Sequence, residues 1–216
     1  MNLFKEIWAG KTIPRIMMND RCRSVSLQDK KVLDVGAGGA PGSYHEYFLS
    51  PAKELLTTDM KVGKKNESHK QLDFEVDKLP FESGSFETVL AFNILEHIYN
   101  HKHLVSEMNR ITVPGGELIG FVPFLINYHP DPHDYFRYTG EALEKIFEEC
   151  GYVDVQIEEI GRGPFTVNYN NIILSVPKIF RILLLPFPIL LDSIFLKLRP
   201  TAKKRYPLGY FFLAKK

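Results

Sequence analysis

The stretch "HPDPHDYFRYT", His129 to Thr139, gathers two histidines, two aspartates, an arginine, three aromatics and two prolines into eleven residues. The mixture fits neither an amphipathic helix nor an alternating strand, so it reads as a structured loop. Prolines 123, 130 and 132 restrict its backbone and hold the polar side chains in place. His133, His129 or Asp134 could take the proton of a hydroxyl, histidine's pKa being well matched to neutral pH. Tyr135, Phe136 and Tyr138 could wall an acceptor, and Arg137 could hold an acidic or phosphate group. The structural alternative pairs Arg137 with Asp134 or Glu141 and places the aromatics in the core. His129, Asp131, His133 and Asp134 are also ligand types for divalent metals, but no metal is expected. His97 and His101 lack a third ligand and are expected to be surface or packing histidines.

A second stretch, "VLDVGAGGAPGSY" (Val32 to Tyr44), runs from a strand through a glycine-rich turn towards a helix. Such a turn lets a ligand approach the backbone without Cβ clashes. The dinucleotide pattern G-x-G-x-x-G would start at Gly36 and Gly38, but its third glycine position is Pro41. Asp34, two residues before the first glycine, suits a ligand carrying positive charge. S-adenosylmethionine presents an ammonium and a sulfonium beside a carboxylate. Asp34 would hold the ammonium side through water, while N–H groups near the helix start would donate to the carboxylate.

The elements that must position these groups alternate from about residue 30. "KKVLDVG", "ELLTTDM", "KQLDFEV", "FETVLAFN", "GGELIGFVPF", "VDVQIEEIG" and "LGYFFLAKK" read as seven strands. "GSYHEYFLS", with capping-box spacing between Ser43 and Glu46, and "ILEHIYNHKHLVSEMNRIT" read as helices. "TGEALEKIFEECGY" is a third, with Thr139 as N-cap, Gly151 as stop, and Leu143, Ile146, Phe147 and Cys150 on one face. Alternating βα units argue for an open, mostly parallel sheet covered on both faces.

The chain divides into a cap segment (1–29), a core (30–162), a helical insertion (163–206) and a last strand (207–216). The insertion carries seven Lys or Arg against one acid, Asp192, around proline-broken apolar runs. Its longest uncharged run, Ile182 to Leu191, has ten residues, short for a bilayer crossing. Basic flanks on apolar surface suit peripheral membrane contact through residues 172–205; packing on its own domain is the alternative. A formal net charge of +1 predicts no general affinity for nucleic acid. Cys22 and Cys150 suggest no disulfide framework, and the N-terminus lacks a signal-peptide core, so a cytoplasmic protein is expected.

Taken in order, these motifs resemble the class I S-adenosylmethionine-dependent methyltransferases over roughly residues 30–160 and the final strand. The resemblance implies an α/β, Rossmann-like, doubly wound, mostly parallel seven-stranded sheet. It implies a cofactor loop of Gly36, Ala37 and Gly38, and Asp59 with Met60 at the end of the second strand, where the acid accepts both ribose hydroxyls. Asp77 or Asp73 would meet the adenine amino group, the register among Asp73, Glu75 and Asp77 being open. Phe92 and Asn93 would line the cofactor. "PHDYFRYT", ahead of "EAL" and "IFEECGY", further resembles a subgroup from bacterial surface-polysaccharide and other glycan pathways. That implies O-methylation of a sugar hydroxyl, on a lipid-linked glycan if the insertion meets membrane. A quinone or lipid methyltransferase and an inactive cofactor-binding scaffold are the alternatives.

Overall fold

The computed structural model describes residues 3–37, 42–59, 72–173 and 175–216. Helices α1 (Leu3–Trp8) and α2 (Ile13–Cys22) precede strand β1 (Lys31–Val35). β2 (Glu54–Thr58), β3 (Phe86–Phe92), α3 (His101–Ile111), β4 (Thr112–Pro123), α4 (Gly140–Glu149) and β5 (Val153–Ile160) follow. Three helices, α5 (Pro164–Ile173), α6 (Lys178–Leu184) and α7 (Pro186–Leu198), then lead to β6 (Gly209–Lys215).

The strands form one sheet in the order β2-β1-β3-β4-β6-β5. β1 is parallel to β2 and β3, and β3 to β4, whereas β6 runs antiparallel to β4 and β5. The C-terminal ends of four parallel strands therefore share one edge, where α/β sheets bind ligands. Side chains alternate across the sheet with the period of two that a pleat imposes. Leu33, Val35, Val89 and Ala91 pack with Leu104, Met108, Leu143 and Phe147 from α3 and α4. Val32, Leu90, Phe92 and Phe211 pack on the other face with Met18 and Cys22 of α2. Gly120 in β4 has no substitute: a Cβ there would lie 2.0 Å from the Ala91 carbonyl oxygen and 2.4 Å from the Phe212 ring.

Thr139 caps α4 as expected, its hydroxyl accepting the Ala142 N–H at 3.2 Å, and Gly151 follows the helix with φ +90°. Four expectations need correction. The sheet has six strands among the described residues, because Leu72–Val76 of "KQLDFEV" forms a turn. Asp73 Oδ1 accepts the Glu75 N–H, Asp77 Oδ2 accepts the Asp73 N–H, and the Asp77 N–H returns to the Asp73 carbonyl. Aspartates that bond their own backbone compete with a strand ladder in this way. The segment after the glycine turn is a single 3-10 turn, Ser43–Tyr47, without the Ser43 side-chain cap. The helix expected from Ile94 is a 3-10 turn at Leu95–His97 followed by α3. The break falls where the Glu75 carboxylate accepts the N–H groups of Tyr99 (2.7 Å) and Asn100 (2.6 Å), satisfying donors that would otherwise continue the helix. The α6–α7 stretch, Lys178–Leu198, has 21 residues and is long and apolar enough by composition to cross a bilayer, more than its ten-residue uncharged run indicated.

Burial pushes the Cys22 thiol up to about 12, which removes its nucleophilic thiolate at neutral pH. A thiol reagent at pH 8 is expected to label half-buried Cys150 in the native protein and Cys22 only on unfolding, read by peptide mass spectrometry.

Candidate active site at the carboxyl edge of the sheet

At the end of β1 the chain turns through Gly36, with φ +78° and its N–H on the Thr58 carbonyl at 2.8 Å. A Cβ at Gly36 would sit 2.7 Å from Ile94 Cδ1, so the turn stays bare of side chain. Ala37 follows it; Gly38 and Met60 lie outside the described residues. Asp59 comes directly after β2 and is half-buried. Phe92 ends β3, and Asn93 leaves it in a left-handed conformation, φ +52°, with its N–H on the Phe121 carbonyl at 2.8 Å. Asp34 is fully buried in β1, and its carboxylate accepts from Tyr44 Oη at 2.7 and 2.6 Å and pairs with His45 Nε2 at 2.7 Å. Burial, then the Asp34 charge, raises the Tyr44 pKa, so the phenol keeps its proton and donates. Asp73 and Asp77 close the turn before β3, through the bonds given above.

Beside this edge lies a cleft of about 400 Å³. Asn93, His97 and Phe121 line it with Asn127, Tyr128, His129 and Asp131 of the loop. Arg15 from α2 and Asn170 from α5 complete the lining. The loop carrying "HPDPHDYFRYT" is docked on the Leu95–His97 turn by its own backbone. The Glu96 carbonyl accepts the N–H of Tyr135 at 2.8 Å, and the His133 carbonyl pairs with His97 Nδ1 at 2.5 Å. Tyr138 is buried, its hydroxyl donating to the Leu95 carbonyl at 3.0 Å.

This docking separates the loop residues. His129 is half-buried and faces the cleft. Exposed His133 leans on the ring of Tyr135, at 5.1 Å between centroids, and does not line the cleft. The Asp134 side chain is 1% exposed. It accepts from both Arg137 Nη atoms, with Nη2 at 2.6 Å, and from the His129 N–H at 2.9 Å. The Arg137 guanidinium holds the Asp134 carboxyl down at about 2, leaving it a poor proton acceptor. Arg137 and Asp134 are thus spent on the loop, as the structural alternative had it. Tyr135 remains exposed and meets the Tyr99 ring edge to face, 5.5 Å between centroids.

The sequence reading assigned no chemistry to Glu96 and His97, which the fold brings to the cleft. Glu96 is fully buried, and both carboxylate oxygens lack a hydrogen-bond partner among the described residues. Its Oε1 lies 3.7 Å from His97 Nε2 and 3.8 Å from His129 Nε2. The Glu96 carboxyl raises the His129 pKa above the ordinary imidazole value; burial opposes this, and Asp134 adds to it. With His97 Nδ1 on a carbonyl, its Nε2 is the free ring nitrogen. One ligand atom from each of the three residues lies within 4.8 Å of the others, a spacing that could hold a cation. The signal in the sequence was the adjacent pair in "NILEHI", buried residue types on a segment leaving a parallel strand.

A parallel sheet closed by an antiparallel last strand, with a bare glycine turn and an acid after its second strand, is the class I methyltransferase fold. Residues 33–120 match the family described as a methyltransferase domain. The fold is thus that of the class I methyltransferases, and the match over residues 33–120 supports S-adenosylmethionine as the cofactor. Among relatives, a phthiotriol/phenolphthiotriol dimycocerosates methyltransferase of Mycobacterium ulcerans is 34% identical over 104 residues, 44% of this chain and 38% of that protein. An uncharacterised protein of Methanocaldococcus jannaschii is 27% identical over 180 residues, 82% of this chain and 72% of its own length. The crystal structure of an S-adenosylmethionine-dependent methyltransferase from Archaeoglobus fulgidus superposes with a TM-score of 0.57 at 17% identity, covering 99% of this chain and 98% of that one. The alignment with the first of these spans well under half of that relative's length.

Replacing Arg137 with alanine leaves the buried Asp134 carboxylate without its guanidinium partner and with only its His129 contacts, at a cost of about 3 kcal/mol. Asp134 falls from 3.8 to about 2 on folding, so the pair's contribution is complete above about pH 4 and lost as the pH falls through about 2. The stability gap between wild type and Arg137→Ala, measured by urea denaturation, is expected to close over that window.

Proposed function

We propose that the chain transfers methyl from S-adenosylmethionine to a hydroxyl oxygen of a sugar or similar hydroxylated acceptor held in the cleft between Arg15 and His129. When bound, the cofactor supplies an electrophilic methyl group on a sulfonium. Asp59 takes the ribose hydroxyls, and the turn at Gly36 and Ala37 lets the cofactor lie against bare backbone. Phe92 and Asn93 line it, and Asp73 or Asp77 meets the adenine. Asp34 orders the turn through Tyr44 and His45 rather than reaching the ligand directly.

The observation that carries the reading is His129 at the cleft wall with the buried Glu96 carboxyl 3.8 Å behind its Nε2. The bound cofactor would supply the methyl group to the acceptor oxygen, with its sulfur as the leaving group. His129 takes the hydroxyl proton at Nε2, and Glu96 favours the imidazolium that forms. His129 Nδ1 lies 3.3 Å from the Asn127 carbonyl, 3.4 Å from Arg137 Nη2 and 3.5 Å from Asp134 Oδ2, contacts that orient the ring. Asn93, Asn127, Asp131 and Asn170 give a hydroxyl-rich acceptor polar partners on several sides. The loop's likeness to glycan methyltransferases and this lining together favour a sugar.

Calorimetric titration with S-adenosylmethionine and its demethylated product, with NAD as control, tests the cofactor half. Asp59→Ala is expected to abolish binding; near-normal affinity would remove Asp59 from the ribose site. His129→Ala is expected to keep cofactor affinity and to slow turnover roughly 10²- to 10⁴-fold, the range for loss of a positioned base. Full activity after chelation would keep the cluster a proton site, whereas loss restored by a divalent cation would make it a metal site. Turnover of detergent-dispersed aromatic or isoprenoid acceptors, with none of glycans, would replace the sugar reading with a quinone or lipid one.

A further inference from the structure

Helices α6 and α7 turn an apolar face outward. Phe180, Leu183, Phe187, Leu191, Ile194 and Leu198 recur at helical spacing, and each is between 44% and 78% exposed. A helix resting on a soluble domain normally buries its apolar stripe and shows charge to water. Here the inward stripe is Leu185, Pro188 and Asp192, all buried. A continuous exposed apolar surface of this kind marks an interaction site.

Its surroundings decide what it meets. The only acid between residues 163 and 206 is Asp192, and that side chain is buried. Within this segment the exposed charges are therefore all positive, Lys178 at one end and Lys197, Arg199, Lys203, Lys204 and Arg205 at the other. The exposed acids nearby, Asp20 and Glu158, share a pocket with Ile189 and Lys203. Two copies meeting by a two-fold axis would set like charge near like charge. An anionic lipid surface offers hydrocarbon for the face and negative headgroups for its rim.

Asp192 also decides between lying on a bilayer and crossing it. The stretch is long enough to cross, but the Asp192 carboxylate accepts the N–H groups of Phe165 at 3.0 Å and Thr166 at 2.9 Å, at the start of α5. Ser193 Oγ beside it accepts from Arg162 Nη2 at 2.7 Å. A crossing would strip these bonds and carry a carboxylate into hydrocarbon. We infer that α6 and α7 lie in the headgroup region of an anionic membrane by their outer face, with Asp192 fastening α7 to the methyltransferase domain. This placement stands independently of the acceptor reading. It would also set the cleft near an acceptor carried on a lipid, since Asn170 of α5 lines that cleft and α7 packs on α5.

The test is sedimentation of the full chain with vesicles of phosphatidylcholine, alone or mixed with phosphatidylglycerol. Binding is expected to the mixed vesicles, weakening as salt rises, and release by alkaline carbonate. The double variant Phe187→Glu, Leu191→Glu changes exposed side chains only. It is expected to lose vesicle affinity roughly tenfold or more while keeping its melting temperature and its affinity for S-adenosylmethionine. No binding by the wild type, equal binding by the variant, or retention after carbonate would each overturn the inference. So would a dimer, seen by light scattering without vesicles, that the variant converts to monomer while neither form sediments with lipid. The cofactor titration reports separately on the catalytic reading, so one can fail without the other.

Discussion

The site depends on a seam between two pieces of irregular backbone. The Leu95–His97 turn offers the Leu95 and Glu96 carbonyls and the His97 ring; the loop answers with Tyr138 Oη, the Tyr135 N–H and the His133 carbonyl. Loops normally stay at the surface because their polar backbone needs partners. Here each segment satisfies the other, so both can be packed beside the carboxyl ends of the strands. The Glu96 side chain is trapped in the seam, where a carboxylate without hydrogen bonds is costly. The imidazoles of His97 and His129 are the polar groups within 4 Å that offset this. Cost and function thus share a location, as stored strain and perturbed titration commonly do at active sites.

The other charged residues of the loop show the opposite use of the same chemistry. Asp134 and Arg137 saturate one another and the His129 N–H, which makes them a brace. The Asp34–Tyr44–His45 group does the same beneath the glycine turn, with Tyr44 stacked on Phe92 at 4.3 Å between centroids. Buried polar groups with full sets of partners rigidify a site. The incompletely satisfied group is Glu96, the one the proposed mechanism uses.

The region matching the methyltransferase family, residues 33–120, covers the first four strands almost entirely. Much of the cleft lies outside it: Arg15 comes from α2, Phe121 to Asp131 from beyond the match, and Asn170 from α5. On the proposed reading, cofactor handling and acceptor handling fall to different stretches of chain. Fold similarity speaks to the first, and the second varies freely on a common scaffold. The helices between β5 and β6 belong to this second part and also carry the outward apolar face.

The sequence by itself determined the local and periodic features. β-branched runs, the glycine turn at Gly36, the Thr139 cap and the Gly151 stop each act within a few residues, and all can be read without a fold. The acid after the second strand and the order of the motifs were enough for the class and its cofactor. Tertiary structure alone decided which polar residues face the cleft. His129 and His133 are four apart and chemically identical, yet only the docked loop turns one inward and the other to solvent. Glu96 and His97 acquired meaning from residues more than thirty positions away, a separation no periodicity records. The turn at Leu72–Val76, where a strand was expected, has the same origin, since Asp73 and Asp77 turned a β-like composition into a turn by bonding their own backbone. The outward face of α6 and α7 shows it once more. Its apolar composition was plain in the chain, but the hydrogen bonds of Asp192 set which side of the helix was left to face outward.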